Sequence, residues 1–150
     1  PIIVRLFNII GPNQLSKFGM VVPKFIESAL NNENIVIHGD GSQSRSFTWV
    51  DDVVSYLIKL AEIKAYGEVF NIGQTEEITI KDLAELIIEK TSSKSKIIYK
   101  THEEIFGTAF DDPKRRTPGI EKIIKFTGIE PSKNIDFMIE NIINHKKTEL

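Results

Sequence analysis

The chain has 150 residues, of which 41% are hydrophobic and 27% are charged, an ordinary composition for a globular domain. Its formal net charge of -2 argues against a nucleic-acid-binding protein, because such proteins are normally basic. The absence of cysteine excludes disulfides, a thiolate nucleophile and a cysteine-ligated metal, and it suits a cytoplasmic protein. No apolar run reaches the length of a membrane span, so we expect neither a membrane nor a nucleic acid as partner.

The first 40 residues predict two strands with a helix between them. Residues 2–7 are apolar on both faces, a pattern typical of a strand inside a parallel sheet. An apolar stripe at helical spacing predicts a helix over 21–31, and a second strand follows over 35–38. Since a strand buried on both faces needs neighbours, we expect the chain to be the later part of a longer fold.

A glycine-rich turn follows the second strand and leads to an arginine. Gly39, Asp40 and Gly41 predict a tight turn with positive φ. Arg45 comes next, in an alternating run that places it on the same side as Phe47. A guanidinium can bond two phosphate oxygens at once, so Arg45 is a candidate phosphate ligand. The alternative is a solvated surface charge, which the turn pattern alone favours.

The remaining elements are predicted from periodicity and capping signals. They are a helix that begins at Asp51 or Asp52 and runs over 53–62, a strand over 67–73, a helix over 80–90, a strand over 97–99, and helices over 120–126 and 135–145. Thr79 and Asp82 predict a capped start for the third of the chain's five helices, and Gly128 predicts the end of the fourth. We assign both aspartates structural roles first, and we expect residues 146–150 to be a frayed tail.

Two stretches resemble the extended short-chain dehydrogenase/reductase family, the group of NAD-dependent nucleotide-sugar epimerases, dehydratases and decarboxylases. That family shows G-D/N/S-G-x-Q-x-R-x-F/W-x-Y/H-V-x-D, and the residues that match it are Gly39, Gly41, Gln43, Arg45, Phe47, Val50 and Asp52. It also shows R-x-F-N-x-Y-G-P, and the residues that match are Arg5, Phe7, Asn8, Gly11 and Pro12. Trp49 and Ile10 depart from the aromatic or histidine residues usual at their positions.

The resemblance implies a substrate-binding wall, made of Asn8, His38, Gln43, Arg45 and Arg116. The family's asparagine touches the sugar nucleotide at the mouth of the sheet, although Asn8 would also suit a turn. His38 stands where relatives place an aromatic residue on the base, and an imidazole can stack in the same way. The alternative for His38 is a surface histidine at a strand end.

The start of the predicted helix over 21–31 supplies secondary candidates. Relatives carry a polar residue near Met20 that holds the diphosphate, and a methionine side chain cannot bond a phosphate. That contact is therefore lost or left to a backbone amide. Val21 and Lys24 are the secondary candidates here, although a lysine on a helix surface is more often solvated.

A basic loop over 111–118 resembles the family branch that acts on UDP-glucuronate. That branch shows D-D-P-x-R-R-x-P-D-I-x-K-A, and the residues that match are Asp111, Asp112, Pro113, Arg115, Arg116, Pro118, Ile120 and Lys122. Gly119 replaces the usual aspartate. We favour Arg116 over Arg115 as the nucleotide contact, and the loop favours UDP over TDP or GDP.

Two motifs that perform the family's chemistry are missing. The sequence contains no Gly-x-x-Gly-x-x-Gly cradle for a pyrophosphate and no Tyr-x-x-x-Lys pair. We therefore expect NAD to be bound by an N-terminal half that this chain lacks. We predict no catalytic residue and no metal site in this chain, and no activity from the chain alone.

The expected fold is α/β, the C-terminal portion of a Rossmann-like epimerase/dehydratase. Residues 1–150 would form one substrate-binding region, in which strands near 2–7 and 68–72 join the parallel nucleotide-binding sheet. The rest would form a small mixed α/β substrate domain. The resemblance implies epimerisation, dehydration or decarboxylation by a parent enzyme that family members suggest is a homodimer. The alternative is a non-catalytic module that binds a nucleotide or a protein.

Overall fold

Nine short strands and five helices alternate along the part of the chain that the computed structural model describes, residues 1–16, 20–101, 104 and 114–148. The strands are β1 (Ile3–Leu6), β2 (Ile9–Ile10), β3 (Ile35–His38), β4 (Ser44–Ser46), β5 (Thr48–Trp49), β6 (Val69–Ile72), β7 (Glu77–Thr79), β8 (Ile97–Lys100) and β9 (Arg115–Arg116). The helices are α1 (Val21–Leu30), α2 (Val50–Glu62), α3 (Ile80–Thr91), α4 (Glu121–Thr127) and α5 (Ile135–Thr148).

Parallel pairing dominates the four small sheets. Strand β1 pairs in parallel with β6, β2 with β5, and β3 with β8. The fourth sheet has the order β7-β4-β9, in which β4 is antiparallel to β7 and parallel to β9. Parallel strands joined through helices define the α/β class, as the sequence predicts. The pairing of β1 with β6 agrees with a common sheet for the two strands, and their place in a nucleotide-binding sheet stays a prediction.

Two apolar clusters form the core. The larger packs α1, α3 and α5 around β3, with fully buried side chains such as Ile26, Leu83 and Ile139. The smaller packs α2 and α4 against β6, around Tyr56 and Phe70. Helices α1, α3 and α5 bury the apolar stripe that their spacing predicts, so local periodicity and burial agree for these three.

Strand β1 departs from the prediction that it is buried on both faces. Ile3 is 52% exposed and Leu6 is 50% exposed. The physical reason is that neither side chain belongs to one of the two apolar clusters of the described residues. One face of α2 is similarly exposed at Val54, Leu57 and Ile58.

The helix boundaries lie within one residue of the predicted ones except at the end of α5. Helix α2 begins at Val50, directly after β5 and one residue before the predicted start at Asp51 or Asp52. Helix α5 continues to Thr148, so residues 146–148 are helical and the prediction of a frayed tail from residue 146 is wrong. Three basic residues in the last turn of α5 suit the negative end of the helix dipole, which explains the added turn. No helix within the described ranges is long and apolar enough to span a membrane.

The predicted glycine turn after β3 is confirmed. Gly39 has φ +76° and Gly41 has φ +78°, both in the left-handed region that favours glycine. A Cβ at Gly41 would lie 3.1 Å from Lys81 Cβ and 3.3 Å from Ile37 Cγ2, whereas nothing lies within 4 Å of one at Gly39. The turn thus packs against the start of α3 only at its second glycine.

These two glycines make a matched pair for a stability measurement. Gly39→Ala should cost about 1–2 kcal/mol in free energy of unfolding, because alanine is strained at positive φ. Gly41→Ala should cost more, because Lys81 or Ile37 must also move. Denaturant unfolding of both variants measures the difference, and equal losses would contradict the tight contact with α3.

Candidate active-site wall

A cleft of about 390 Å³ lies where the end of β3, the start of α1 and the strand β4 meet. Its volume falls within the range of about 300–1,000 Å³ that is usual for small-molecule sites. Six of the eight predicted site residues line it: Asn8, Val21, Lys24, His38, Gln43 and Arg45. Apolar side chains, among them Phe25, Phe47 and Ile80, form much of the remaining wall. The structure therefore brings together residues that are up to 37 positions apart in the sequence, from Asn8 to Arg45.

Asn8 is held rigidly at the mouth of the β1–β6 pair. Its φ of +38° lies in the left-handed region, which asparagine tolerates better than most residues. The side-chain Nδ2 donates to the Ser46 carbonyl at 2.9 Å, and the Asn8 carbonyl accepts from Thr48 N at 3.0 Å. Asn8 therefore turns the chain and also lines the cleft, and its contact with a sugar nucleotide stays a prediction.

Gln43 closes the loop that carries His38 into the cleft wall. Its Nε2 donates to the His38 carbonyl at 2.9 Å, which ties the two ends of the turn together. Inside the turn, Asp40 accepts from Ser42 Oγ at 2.7 Å and from Ser42 N at 2.9 Å, and these bonds lower the pKa of Asp40. The half-buried His38 is thereby fixed as the last residue of β3.

The first turn of α1 lines the cleft, and its first backbone amides take no part in the hydrogen bonds within the helix. Met20 occupies the N-cap position and makes no side-chain capping bond, and the first turn has no acidic residue. The amides of Val21 and Val22 have no carbonyl partner within the helix, and Pro23 has no N–H to donate. An uncapped N-terminus carries partial positive charge and favours an anion, to which Lys24 adds a full charge.

Arg45 forms the opposite wall. It lies at the centre of β4, is half-buried, and its Nη1 donates to the Ser44 carbonyl at 2.7 Å. The register pairs Arg45 with Arg116 on β9, so both arginines lie on the same face of the β7-β4-β9 sheet. Arg116 is exposed and does not line the cleft, and its side chain makes no hydrogen bond or ion pair within the described residues.

Arg115 lies on the other face of that sheet, so its candidacy as a nucleotide contact is not supported. Its Nε donates to Glu77 Oε2 at 2.8 Å and to Oε1 at 3.1 Å, and its Nη2 lies 2.7 Å from Oε2. Ser44 Oγ donates to Glu77 Oε1 at 2.7 Å. Successive strand residues point to opposite faces, which is why only one of the two adjacent arginines shares a face with Arg45.

Glu77 was not predicted from the sequence as a functional residue. The Arg115 guanidinium first, and then the Ser44 hydroxyl, lower the pKa of Glu77 to about 2. Its partners are 33 and 38 residues away in the chain, so no local pattern signals the contact.

Asp51 and Asp52 have the structural roles first assigned to them. Asp51 Oδ2 accepts from Trp49 Nε1 at 3.0 Å, next to the first turn of α2. The buried Asp52 accepts from Ser132 Oγ at 2.7 Å and from Ser132 N at 3.0 Å.

The described ranges contain no group of three or more side chains that could hold a metal ion. Residues 111–113 of the basic loop lie outside the described residues.

Comparison with known proteins finds similar sequences among enzymes that act on sugar nucleotides. The model of the NAD dependent epimerase/dehydratase family matches residues 1–73. A UDP-N-acetyl-alpha-D-glucosaminuronate decarboxylase of Bacillus cytotoxicus is 35% identical over 131 residues, which cover 87% of this chain and 41% of that protein. UDP-glucuronic acid decarboxylase 1 of Danio rerio is 34% identical over 148 residues, covering 99% of this chain and 34% of that protein.

A solved structure shows the same fold. The UDP-glucose 4-epimerase of Thermotoga maritima, solved with UDP-glucose, superposes with a TM-score of 0.84 at 26% identity. The superposition covers 99% of this chain and 46% of that one. The chain thus spans less than half the length of the relatives that it matches. The Rossmann-like epimerase/dehydratase fold and the family resemblance predicted from the motifs are confirmed.

Substitution of Asn8 should separate its backbone role from its side-chain role. Asn8→Gly and Asn8→Ala both lose the hydrogen bond to Ser46, but only alanine is strained at positive φ. We therefore expect the alanine variant to be less stable than the glycine variant by about 1 kcal/mol. Denaturant unfolding measures this difference. An alanine variant as stable as the glycine variant would mean that the left-handed conformation is not retained.

Proposed function

We propose, from the premise that the chain belongs to the NAD dependent epimerase/dehydratase family, that its cleft binds the nucleotide part of a sugar nucleotide. The whole protein would then be an NAD-dependent epimerase, dehydratase or decarboxylase of nucleotide sugars. In this proposal the chain supplies substrate-binding residues and no catalytic residue.

The observation that carries the proposal is the pairing of two anion-binding features across one cleft. The uncapped first turn of α1 offers the amides of Val21 and Val22, and Arg45 forms the other wall. Helix amides and an arginine fork are complementary to diphosphate oxygens. Lys24 adds charge on the helix side, so the diphosphate would lie between α1 and β4.

The apolar part of the cleft suits a base and ribose. His38 lies at the end of β3 and lines the cleft together with Phe47 and Val36. An imidazole can stack on a base, and the aliphatic and aromatic side chains exclude water from its flat face. The decarboxylase relatives act on UDP sugars by name, which supports uracil as the base.

NAD does not fit the described residues. A pyrophosphate cradle needs a glycine-rich turn between a strand and a helix, and β1 is followed by Asn8 and β2 instead. We propose that another part of the whole protein holds NAD, which supplies reversible oxidation of a sugar hydroxyl when it is bound. The residues described here would orient the sugar nucleotide by holding its diphosphate and base.

A backbone-amide NMR titration with UDP tests the proposal. The chain should bind UDP more tightly than uridine, and the shifted amides should include Val21, Val22 and residues 38–47. Arg45→Ala should weaken UDP binding about 10- to 100-fold, since a hydrogen bond to a charged group contributes about 1.5–3 kcal/mol. Its binding of uridine should change little, because uridine has no phosphate.

Arg5→Ala is the matched control, because it also removes an arginine, and Arg5 lies on β1 away from the cleft. It should leave UDP binding unchanged. Equal affinities for UDP and uridine, or equal losses in the two arginine variants, would contradict a diphosphate site at Arg45.

A further inference from the structure

We propose that Glu77 is a positioning residue for nucleotide binding, because it holds Arg115 and Ser44 on one face of the β7-β4-β9 sheet and so fixes Arg116 beside Arg45 on the other. We call the group of Glu77, Arg115 and Ser44 the Glu77 clasp. The inference rests on the proposed function, since it assigns Arg116 to the same diphosphate as Arg45.

The clasp joins all three strands of the sheet. Glu77 lies on β7, Ser44 on the central β4, and Arg115 on β9. The Glu77 carboxylate receives the Arg115 fork with N–O distances of 2.7 and 2.8 Å, and it also accepts the Ser44 hydroxyl at 2.7 Å. One carboxylate therefore spans the central strand and links its two neighbours.

Because side chains alternate along β9, the clasp on one face also determines which arginine lies on the face toward the cleft. Arg115 is paired with Ser44, and the next residue, Arg116, is paired with Arg45. Neighbouring strands lie about 4.8 Å apart, so the two paired arginine backbones are close enough for both side chains to reach one diphosphate. A shift of β9 by one residue would place the wrong arginine on that face.

Such a link is needed because β9 has only two residues and, among the described strands, pairs with β4 alone. One backbone bond from Ser44 N to the Lys114 carbonyl, at 2.9 Å, precedes the strand. Pro118 anchors the chain after it, since it is buried and a Cβ at Gly73 would clash with its ring. The clasp supplies the side-chain link between these two anchors. Because hydrogen bonds from Arg115 and Ser44 lower the pKa of Glu77 to about 2, the carboxylate is charged at neutral pH.

A double-mutant cycle on UDP binding tests the role. The variants are Glu77→Gln, Arg116→Ala and the combination of the two. Glu76→Gln is the control, because it removes the same charge from the preceding residue, which is exposed and whose side chain makes no hydrogen bond or ion pair within the described part of the chain. Titrations with UDP and with uridine give the affinities.

Glu77→Gln should weaken UDP binding by about 3- to 10-fold and leave uridine binding unchanged, with Glu76→Gln close to wild type for both ligands. In the Arg116→Ala background, Glu77→Gln should have no further effect, because a positioning residue acts only through the residue that it positions. If the fold losses of UDP affinity in the two single variants multiply in the double variant, the proposal is overturned. Equal losses of UDP and uridine binding would also overturn it.

Hydrogen exchange without ligand separates this proposal from the proposed function. The Ser44 amide, bonded to the Lys114 carbonyl, should exchange faster in Glu77→Gln than in Glu76→Gln. Equal rates would overturn the clasp whether or not UDP binds. A wild-type chain that binds no UDP, with faster Ser44 exchange in Glu77→Gln, would refute the proposed function and leave the clasp's hold on β9 standing.

If Glu77→Gln does not fold, Arg115→Lys takes its place in the same cycle. It keeps the charge but loses the two-point contact of the guanidinium with Glu77. It should weaken UDP binding in the same direction and show no added loss together with Arg116→Ala. Unchanged UDP affinity in Arg115→Lys, together with unchanged Ser44 exchange, would overturn the proposal.

Discussion

The hydrogen bonding of strand β4 decides where Arg45, the arginine of the cleft, lies. The strand has three residues, and neighbours on both sides fix its orientation. Because side chains alternate, the same pairing that directs Arg45 to the cleft directs Ser44 and Ser46 to the opposite face. The loop closed by Gln43 leads into β4, and the bond from Asn8 to Ser46 joins the end of β4 to the segment between β1 and β2. Loss of this strand's register would therefore disperse the site even if the two apolar clusters stayed intact.

The two faces of the β7-β4-β9 sheet have different roles. On one face the Glu77 carboxylate neutralises the charge of the Arg115 guanidinium. The Ser44 hydroxyl donates a hydrogen bond to Oε1 of the same carboxylate. The other face has two arginines in register, and the carboxylate of the clasp lies on the opposite side. Two positive charges in register on one face are favourable for binding a diphosphate.

Local signals in the sequence predicted the parts of the fold that local physics determines. The capping box is present, with Asp82 N donating to Thr79 Oγ1 at 3.0 Å, and Gly128 ends α4 in the left-handed region. The glycine turn and the position of Arg45 next to it were likewise predictable. The short strands β2, β7 and β9 were not, because two or three residues carry no periodicity and depend on partners far along the chain.

The same limit applies to the site. Arg115 and Arg116 are equivalent in the sequence, and only the register with β4 distinguishes them. Glu77 follows another glutamate in a polar stretch, and nothing in that stretch indicates a contact with Arg115. The exposure of Ile3 and Leu6 could not be predicted either, since periodicity shows that a residue is apolar and not whether a neighbour covers it.

A crystal structure of the chain with bound UDP tests the central claim most directly. The account predicts a diphosphate between the Arg45 guanidinium and the amides of Val21 and Val22, with the uracil against His38. A diphosphate bound elsewhere, with Arg45 in contact with solvent or protein alone, would contradict it.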